Sequence, residues 1–337
     1  MSSPQRDIAA VLDESGPDYD SFAFERPTAG HQGEVFFVTL SYEGEEIEVV
    51  VKFQAGDPEF ALEPYLHDYV ADRTELPVPK ILVFKDAPGF DIEPYFVTQR
   101  IEGENLAASI GDLDQETREH VVEHAGKILG DLHANVRFEG FGRLALDDGR
   151  LIVDEFSWDW QAFFEEMVND YIDRLETTSF ADLQEEAREH LAACTDHIES
   201  TGPPRLVHDD FRPANMLFEP GEEEPISAVL DWQFALAAEA EYHIARTEFL
   251  FIDPAFRDAD ARKRLRERLY EGYREYQPFE PTEGYEQRRI IYYFATLLWR
   301  MLGFEAAFGD QTELMQGRAE VRFRQQFDQL AGRLPKD

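Results

Sequence analysis

Apolar residues change their period once along this chain. In the first hundred positions they come in short runs rich in β-branched and aromatic side chains, at 22–24, 35–40, 47–53, 80–84 and 95–101. Runs of this length and composition, separated by turn residues, predict strands. Glu43-Gly44-Glu45 supplies a tight turn between the second and third runs, so the region reads as an antiparallel meander. Before it, Ile8, Val11 and Leu12 give an amphipathic start over 1–20, a helix or a loose arm. A helix over 58–70 interrupts the strands, with Phe60, Leu62, Leu66 and Tyr69 as its apolar positions. From Asp114 the spacing becomes three and four: Val121, Val122, Ala125, Ile128, Leu129 and Leu132 form one stripe of a long helix. Further helices are predicted at 158–175, 180–198, 238–251, 254–276, 285–308 and 312–334. Five strands with one helix, then a mainly helical remainder, define an α+β chain. The break in composition at E-G-E-N, just after Ile101, places a boundary between a 1–101 domain and a 102–337 domain.

One stretch of the second half departs from the helical period. From Leu206 it reads L-V-H-D-D-F-R-P-A-N-M-L-F, then a turn-forming P-G-E-E-E-P, then I-S-A-V-L-D-W. Two β-like segments, 216–218 and 226–230, flank the turn, so a hairpin returns Asp231 beside the loop that carries His208, Asp210 and Asn215. Phosphoryl transfer needs such a set, because its catalysis is mostly positioning and neutralisation of charge. An H-x-D-x-x-x-x-N loop offers one carboxylate to take the proton of an attacking hydroxyl and one amide to hold Mg2+; a later Asp holds metal across the phosphates. Asp210, Asn215 and Asp231 match those roles in order and spacing.

The N-terminal half offers the complementary parts. Lys52 is the only lysine among the first 79 residues and sits in V-V-V-K-F. An ammonium in such a strand needs an anion close by. Phosphate oxygens would serve, as would a carboxylate of the next helix: Glu63 is the expected partner, with Glu59, one turn earlier, as the alternative. Gly30 and Gly33, in T-A-G-H-Q-G-E, let the backbone approach a ligand closely. Backbone groups of Gln99, Arg100 and Ile101 stand where an adenine edge would be read.

Charge sets the limits on partners. The chain has 70 acidic against 32 basic residues, a net charge of −38, and only six of the basic residues are lysines. An acidic surface poor in lysine points to a protein adapted to concentrated salt, where self-repulsion is screened within about 3 Å at 1 M. Nucleic acid and anionic membranes are excluded as partners on the same ground. A nucleotide site on such a protein must be locally cationic, which metal ions and a buried lysine would provide. With 43% hydrophobic and 13% aromatic residues the composition is globular. A single cysteine, Cys194, excludes an intramolecular disulfide. The N-terminus lacks an apolar signal core and no apolar run reaches membrane length, so a soluble cytoplasmic protein is expected. His133, at the end of the long helix, reads as structural. Glu165, Glu166 and Asp170 offer themselves to a cationic acceptor, though a solvated acidic face explains them better.

With the motif in this order, the chain resembles the aminoglycoside phosphotransferase and choline kinase-like family of small-molecule kinases, over roughly residues 22–308. The resemblance implies a two-lobed protein-kinase-like fold, ATP and Mg2+ as cofactors, and a small-molecule hydroxyl as acceptor. It implies Asp210 as catalytic base, Asn215 and Asp231 as Mg2+ ligands, Lys52 on the α- and β-phosphates, and His208 as organiser of the loop. The family's loop usually reads H-G-D-x-x-P-x-N, so Asp209 stands here where Gly is frequent. Gly33 replaces a frequent Asn, and A-E-A-E-Y-H-I-A follows Asp231-Trp232 where many members have G-D-P-x-x-D-L-A. A nucleotide-binding pseudokinase without turnover is the alternative reading. A protein kinase is disfavoured, because no A-P-E-like stretch follows Asp231.

Overall fold

Period-two alternation becomes a sheet. In the computed structural model, β1 (Ser21–Glu25), β2 (Glu34–Tyr42), β3 (Glu45–Phe53), β4 (Ile81–Lys85) and β5 (Tyr95–Gln99) pair antiparallel in the order β1-β2-β3-β5-β4. The structure describes residues 4–16, 18–27, 34–54, 59–89, 92–253 and 258–335. Glu43 and Gly44 both have positive φ, 51° and 88°, between paired Tyr42 and Glu45. This is the mirror-image turn whose twist matches that of the strands it joins. Every second residue of β2, β3 and β5 enters one core: Phe36, Val38, Leu40, Val49, Val51, Phe53, Tyr95 and Val97. A helix, α1 (Pro4–Ser15), covers that face with Ile8, Val11 and Leu12, so the amphipathic start is ordered.

Lys52 lies between Val51 and Phe53 in β3 and therefore points to the other face, opposite Phe96 of β5. On that side is α2 (Leu62–Ala71), shorter at its start than the 58–70 expected. His67 of α2 and Phe60 just before it both pack on Phe96, at 6.4 and 5.2 Å between ring centres.

Two compact units divide the chain, and the division does not follow sequence order. The sheet unit comprises Met1–Ile110 with Ala145–Arg150 and Pro213–Gln233; the helical unit comprises Gly111–Leu144, Leu151–Arg212 and Phe234–Asp337. In the sheet unit a three-stranded ladder joins Ile226–Val229, Met216–Phe218 and Glu104–Asn105. It is tied down by Val229 N–H to Pro77 O, 2.8 Å, and by the Asn105 amide to Ala214 O, 2.7 Å. Gly103, at φ 132°, lies so close that a Cβ there would come 2.7 Å from Ser227 Oγ.

In the helical unit the long helix Gln115–Asn135 starts on Asp114, whose carboxylate accepts the Thr117 N–H. It packs against Ala259–Arg274 through glycines: a Cβ on Gly126 would lie 2.1 Å from Leu269 O, and one on Gly272 2.0 Å from Glu123 O. The expected helix 180–198 is broken into a 3-10 turn, Gln184–Ala192 and a second 3-10 turn, Thr195–His197. The helix expected at 285–308 stops at Leu302; Gly303 divides Glu283–Leu302 from Phe304–Phe308. That expected at 238–251 is Ala240–Thr247 followed by a π turn, Glu248–Ile252, and Ala238 belongs instead to the strand Leu236–Ala238. One hairpin was not anticipated, Phe141–Asp147 with Arg150–Ser157. Its turn residues Asp148 and Gly149 have φ 48° and 71°, so an Asp-Gly turn signal was there to be read. Cys194 is buried, and no helix of the described residues is long and apolar enough to cross a membrane.

Candidate active site

The sheet unit holds a charge cluster built on Lys52. Its Nζ donates to Glu63 Oε2 at 2.5 Å and to Asp231 Oδ1 at 3.3 Å, with the lysine side chain only 13% exposed. Glu63 is thus the helical partner. Burial pulls the Lys52 pKa down, but Glu63 and then Asp231 outweigh it and hold the ammonium above its ordinary range. Behind it, His67 is driven down to about 4, chiefly by burial, so its ring is neutral and Nδ1–H donates to Pro79 O at 3.0 Å.

Asp231 and Asn215 occupy the same end of one hairpin. Met216 pairs with Val229, and one step beyond, Leu230 N–H donates to Asn215 O at 2.9 Å. Sixteen residues of separation in sequence are closed by this ladder. Asp231 itself has φ 67°, a left-handed conformation that Asp tolerates better than most residues and that costs about 1 kcal/mol.

His208 and Asp210 belong to the helical unit, on the loop leaving the buried strand Arg205–Val207. Both are buried, at 0% and 2% exposure. The Asp210 N–H donates to His208 Nδ1 at 3.3 Å, so the histidine braces the loop instead of facing outward. Phe211, also buried, sets its ring edge against His208 and His243. Arg212 Nε pairs with Asp210 Oδ1 at 2.7 Å.

Asp209 is explained by its neighbours. Its φ of 62° is a position where Gly is the easy residue. The carboxylate is held by Tyr242 O–H, 2.7 Å, and by Arg246 Nε, 3.0 Å; Arg246 also donates to the Asp209 carbonyl. Burial raises the Asp209 pKa to about 6 against the pull of Arg246. Arg246 stacks on Trp299, 4.3 Å away. The sequence reading missed Arg246 and Tyr242. Their signal lay in E-Y-H-I-A-R, where a helix facing the core carries an arginine that must have an anion.

The remaining expected residues fall as follows. Gln99 and Arg100 give their N–H groups to Lys80 O and Glu48 O, while Ile101 N–H has no hydrogen bond among the described residues. The Arg100 side chain lies over Phe37 and pairs with Glu48. Gly30 and Gly33 lie outside the described residues. His133 is fully buried, bonded to Tyr273 Oη and to His243. Asp170 is engaged by Arg143 and Arg174, and Glu165 by Gln161.

A loop of this form, beside a fold of this topology, is matched by the phosphotransferase enzyme family, whose model covers residues 24–279. The chain belongs to that family. Among solved structures it is similar to a protein assigned as an aminoglycoside phosphotransferase from Ralstonia eutropha JMP134, 16% identical, TM-score 0.63, covering 98% of this chain and 99% of that one. A choline kinase from Cryptosporidium parvum Iowa II is 12% identical, TM-score 0.56, over 98% and 97% of the two chains. A spectinomycin phosphotransferase, solved with ADP and spectinomycin, is 15% identical, TM-score 0.53, over 98% of each. These likenesses establish the α+β, protein-kinase-like fold. No curated protein matches the chain in sequence.

Proposed function

We propose that the chain is an ATP- and Mg2+-dependent phosphotransferase acting on a hydroxyl of a small molecule. The observation that carries this reading is Lys52, held at once by Glu63 and Asp231 at 2.5 and 3.3 Å. A buried lysine kept charged between carboxylates, one of them at the end of the motif hairpin, suits a triphosphate that needs a cation on its phosphates and a metal beside them. The relative solved with ADP and spectinomycin supports nucleotide use.

Asp210 accepts the proton of the acceptor hydroxyl as its oxygen attacks the γ-phosphoryl group; the bond to the β-phosphate oxygen breaks and ADP leaves. Lys52 holds the α- and β-phosphates, and His208 fixes the backbone of the base. Asn215 and Asp231 would hold Mg2+, which supplies neutralisation of phosphate charge. Two hard oxygen donors suit that ion, since Mg2+ keeps waters and takes further oxygens from the nucleotide. Among the described residues no group of three or more His, Cys, Asp or Glu is gathered to cage a metal, in keeping with a site completed by phosphate. Ile101 N–H offers a donor to an adenine edge.

The test is ADP release from Mg-ATP in molar KCl with a panel of hydroxylated metabolites, for the wild type and Asp210→Asn. Turnover with one acceptor that is lost in the variant, while ADP still binds, supports the reading. Nucleotide binding without turnover across the panel would leave a binding module in its place.

A further inference from the structure

One short helix reaches the catalytic loop on both sides of the base. On Ala240–Thr247, Tyr242 and Arg246 lie one turn apart and hold the carboxylate of Asp209, the residue before Asp210, at 2.7 and 3.0 Å. His243, three positions before Arg246, shares that face and meets the residue after the base. Its ring stands 5.7 Å from that of Phe211, edge to face at 79°. Phe211 in turn stands 6.1 Å from His208, at 71°, and His208 Nδ1 accepts the Asp210 N–H at 3.3 Å. His243, Phe211, His208 and the backbone of Asp210 are therefore one run of contacts, all inside the helical unit.

His243 is also tied from behind. Its Nδ1 lies 2.9 Å from His133 Nε2, and His133 Nδ1 is bonded to Tyr273 Oη at 3.0 Å. Burial takes His133 down to about 3 and His243 well below its ordinary value, so both rings are neutral and a single N–H lies between them. Arg205, on the strand that leads into the loop, donates to the His133 carbonyl, so His133 is itself anchored. The remaining nitrogen, His243 Nε2, is buried with no hydrogen-bond partner among the described residues. An unpaired buried nitrogen costs stability, and a phenylalanine would fill the same space without it. What the imidazole adds is a ring fixed by a hydrogen bond while it bears on Phe211. His243 also stands at the second Asp of the stretch that reads G-D-P-x-x-D-L-A in many members of the family, so this chain braces its loop with a neutral ring pair where those members have an acid.

We propose that His243, held by His133, is a positioning residue for phosphoryl transfer: through Phe211 and His208 it fixes the backbone from which Asp210 meets the acceptor hydroxyl. The inference rests on the phosphotransferase reading and adds to it. His243 touches no reacting atom, and Lys52 belongs to the other unit, so the ring pair should govern the chemical step and leave nucleotide binding alone.

Steady-state kinetics and imidazole nitrogen NMR on the full chain test it. His243→Phe keeps a ring beside Phe211 but removes the tie to His133; His133→Phe removes the same tie from one residue further off. Each should lower kcat about 10- to 100-fold and leave KM for Mg-ATP within about twofold. In each, the His208 Nδ1 resonance should lose the shift that marks its bond from the Asp210 N–H. The double variant His133→Phe/His243→Phe replaces the polar pair by an apolar one and should recover stability in urea while kcat stays low. His243→Asn, whose amide can still bond His133 but offers no ring, should fail alike and keeps the test open if the aromatic variants do not fold. Recovery of kcat together with stability in the double variant overturns the proposal, because packing alone would then explain the ring pair. A kcat within about twofold in the single variants overturns it too, as does a loss confined to KM for Mg-ATP. An unmoved His208 resonance overturns it whether or not turnover is found. If no acceptor is turned over but that resonance moves as expected, the bracing stands and the phosphotransferase reading falls.

Discussion

Lys52 and Asp231 are 179 positions apart in the chain and 3.3 Å apart in space, Nζ to Oδ1. The contact exists because β3 turns Lys52 away from the apolar core and the motif hairpin ends on Asp231, both within the sheet unit.

Removing the lysine should separate stability from chemistry. Lys52→Met leaves Glu63, 6% exposed, without its cation, at a cost of about 2–3 kcal/mol, below the range for a fully buried pair. Adding Glu63→Gln should restore most of that stability in urea unfolding while turnover stays at least about 100-fold down. Recovery of turnover in the double variant would remove Lys52 from the phosphate site.

Asp209 makes a prediction that runs against its own backbone. Asp209→Gly supplies the residue that φ 62° favours, yet it should destabilise the protein by about 3 kcal/mol, because Arg246 then sits buried without an anion. Combining it with Arg246→Met should recover much of the loss. A chevron or urea series on the four-member cycle reads the coupling; additivity within about 0.5 kcal/mol would show the pair to be independent.

Acid should weaken the fold before it titrates most carboxylates. Burial lowers His67 and His124 to about 4 and His133 to about 3, and takes His243 well below its ordinary value. Unfolded chains take up those protons near pH 6.5, so the unfolded state binds more protons and stability falls as pH drops below that value. Each such histidine contributes up to about 1.4 kcal/mol per pH unit. Asp209, raised to about 6, works the other way between about pH 6 and 4, and burial also raises Asp68, Glu239 and Asp253, but of these carboxylates only Asp209 is carried as far as about 6, so between pH 6.5 and 5 the four histidines outweigh it. Urea midpoints at constant KCl should therefore decline from pH 6.5 to 5. A flat or rising profile would mean the rings are charged in the fold.

The glycines between the two long helices should tolerate no side chain. Gly126→Ala and Gly272→Ala would each gain up to about 1 kcal/mol of helix propensity, but their Cβ atoms would meet backbone carbonyls at 2.1 and 2.0 Å. Separating the helices should cost more than that gain, about 1–3 kcal/mol or above, seen as a lower melting temperature. Gly317→Ala, where nothing lies within 4 Å, is the control.

Much of this architecture was legible in the residues because local signals agreed. Val49, Val51 and Phe53 alternate with Val50 and Lys52, which fixes the face of the lysine. The Glu43-Gly44 turn and the capping Asp114 likewise act on their own neighbours. What escaped was decided at a distance. Helix breaks such as Gly303 depend on packing that period alone does not report. Glu63 is the partner of Lys52 that was expected, but α2 begins later than the pattern suggests, since helix starts are weakly marked when, as here, Ala61 precedes the first turn without a capping side chain. Arg246 and Tyr242 became visible only once their helix met Asp209, which nothing in linear order announces.

The motif hairpin has one more property. Its ladder closes below the P-G-E-E-E-P tip, where Glu222, Glu223 and Glu224 are exposed and Gly221 takes φ 92°. Asn215 and Asp231 are joined through the rungs beneath, so the tip is spare length. It is a natural place to graft a fluorophore or an affinity peptide, and changes in loop size among relatives would be silent there.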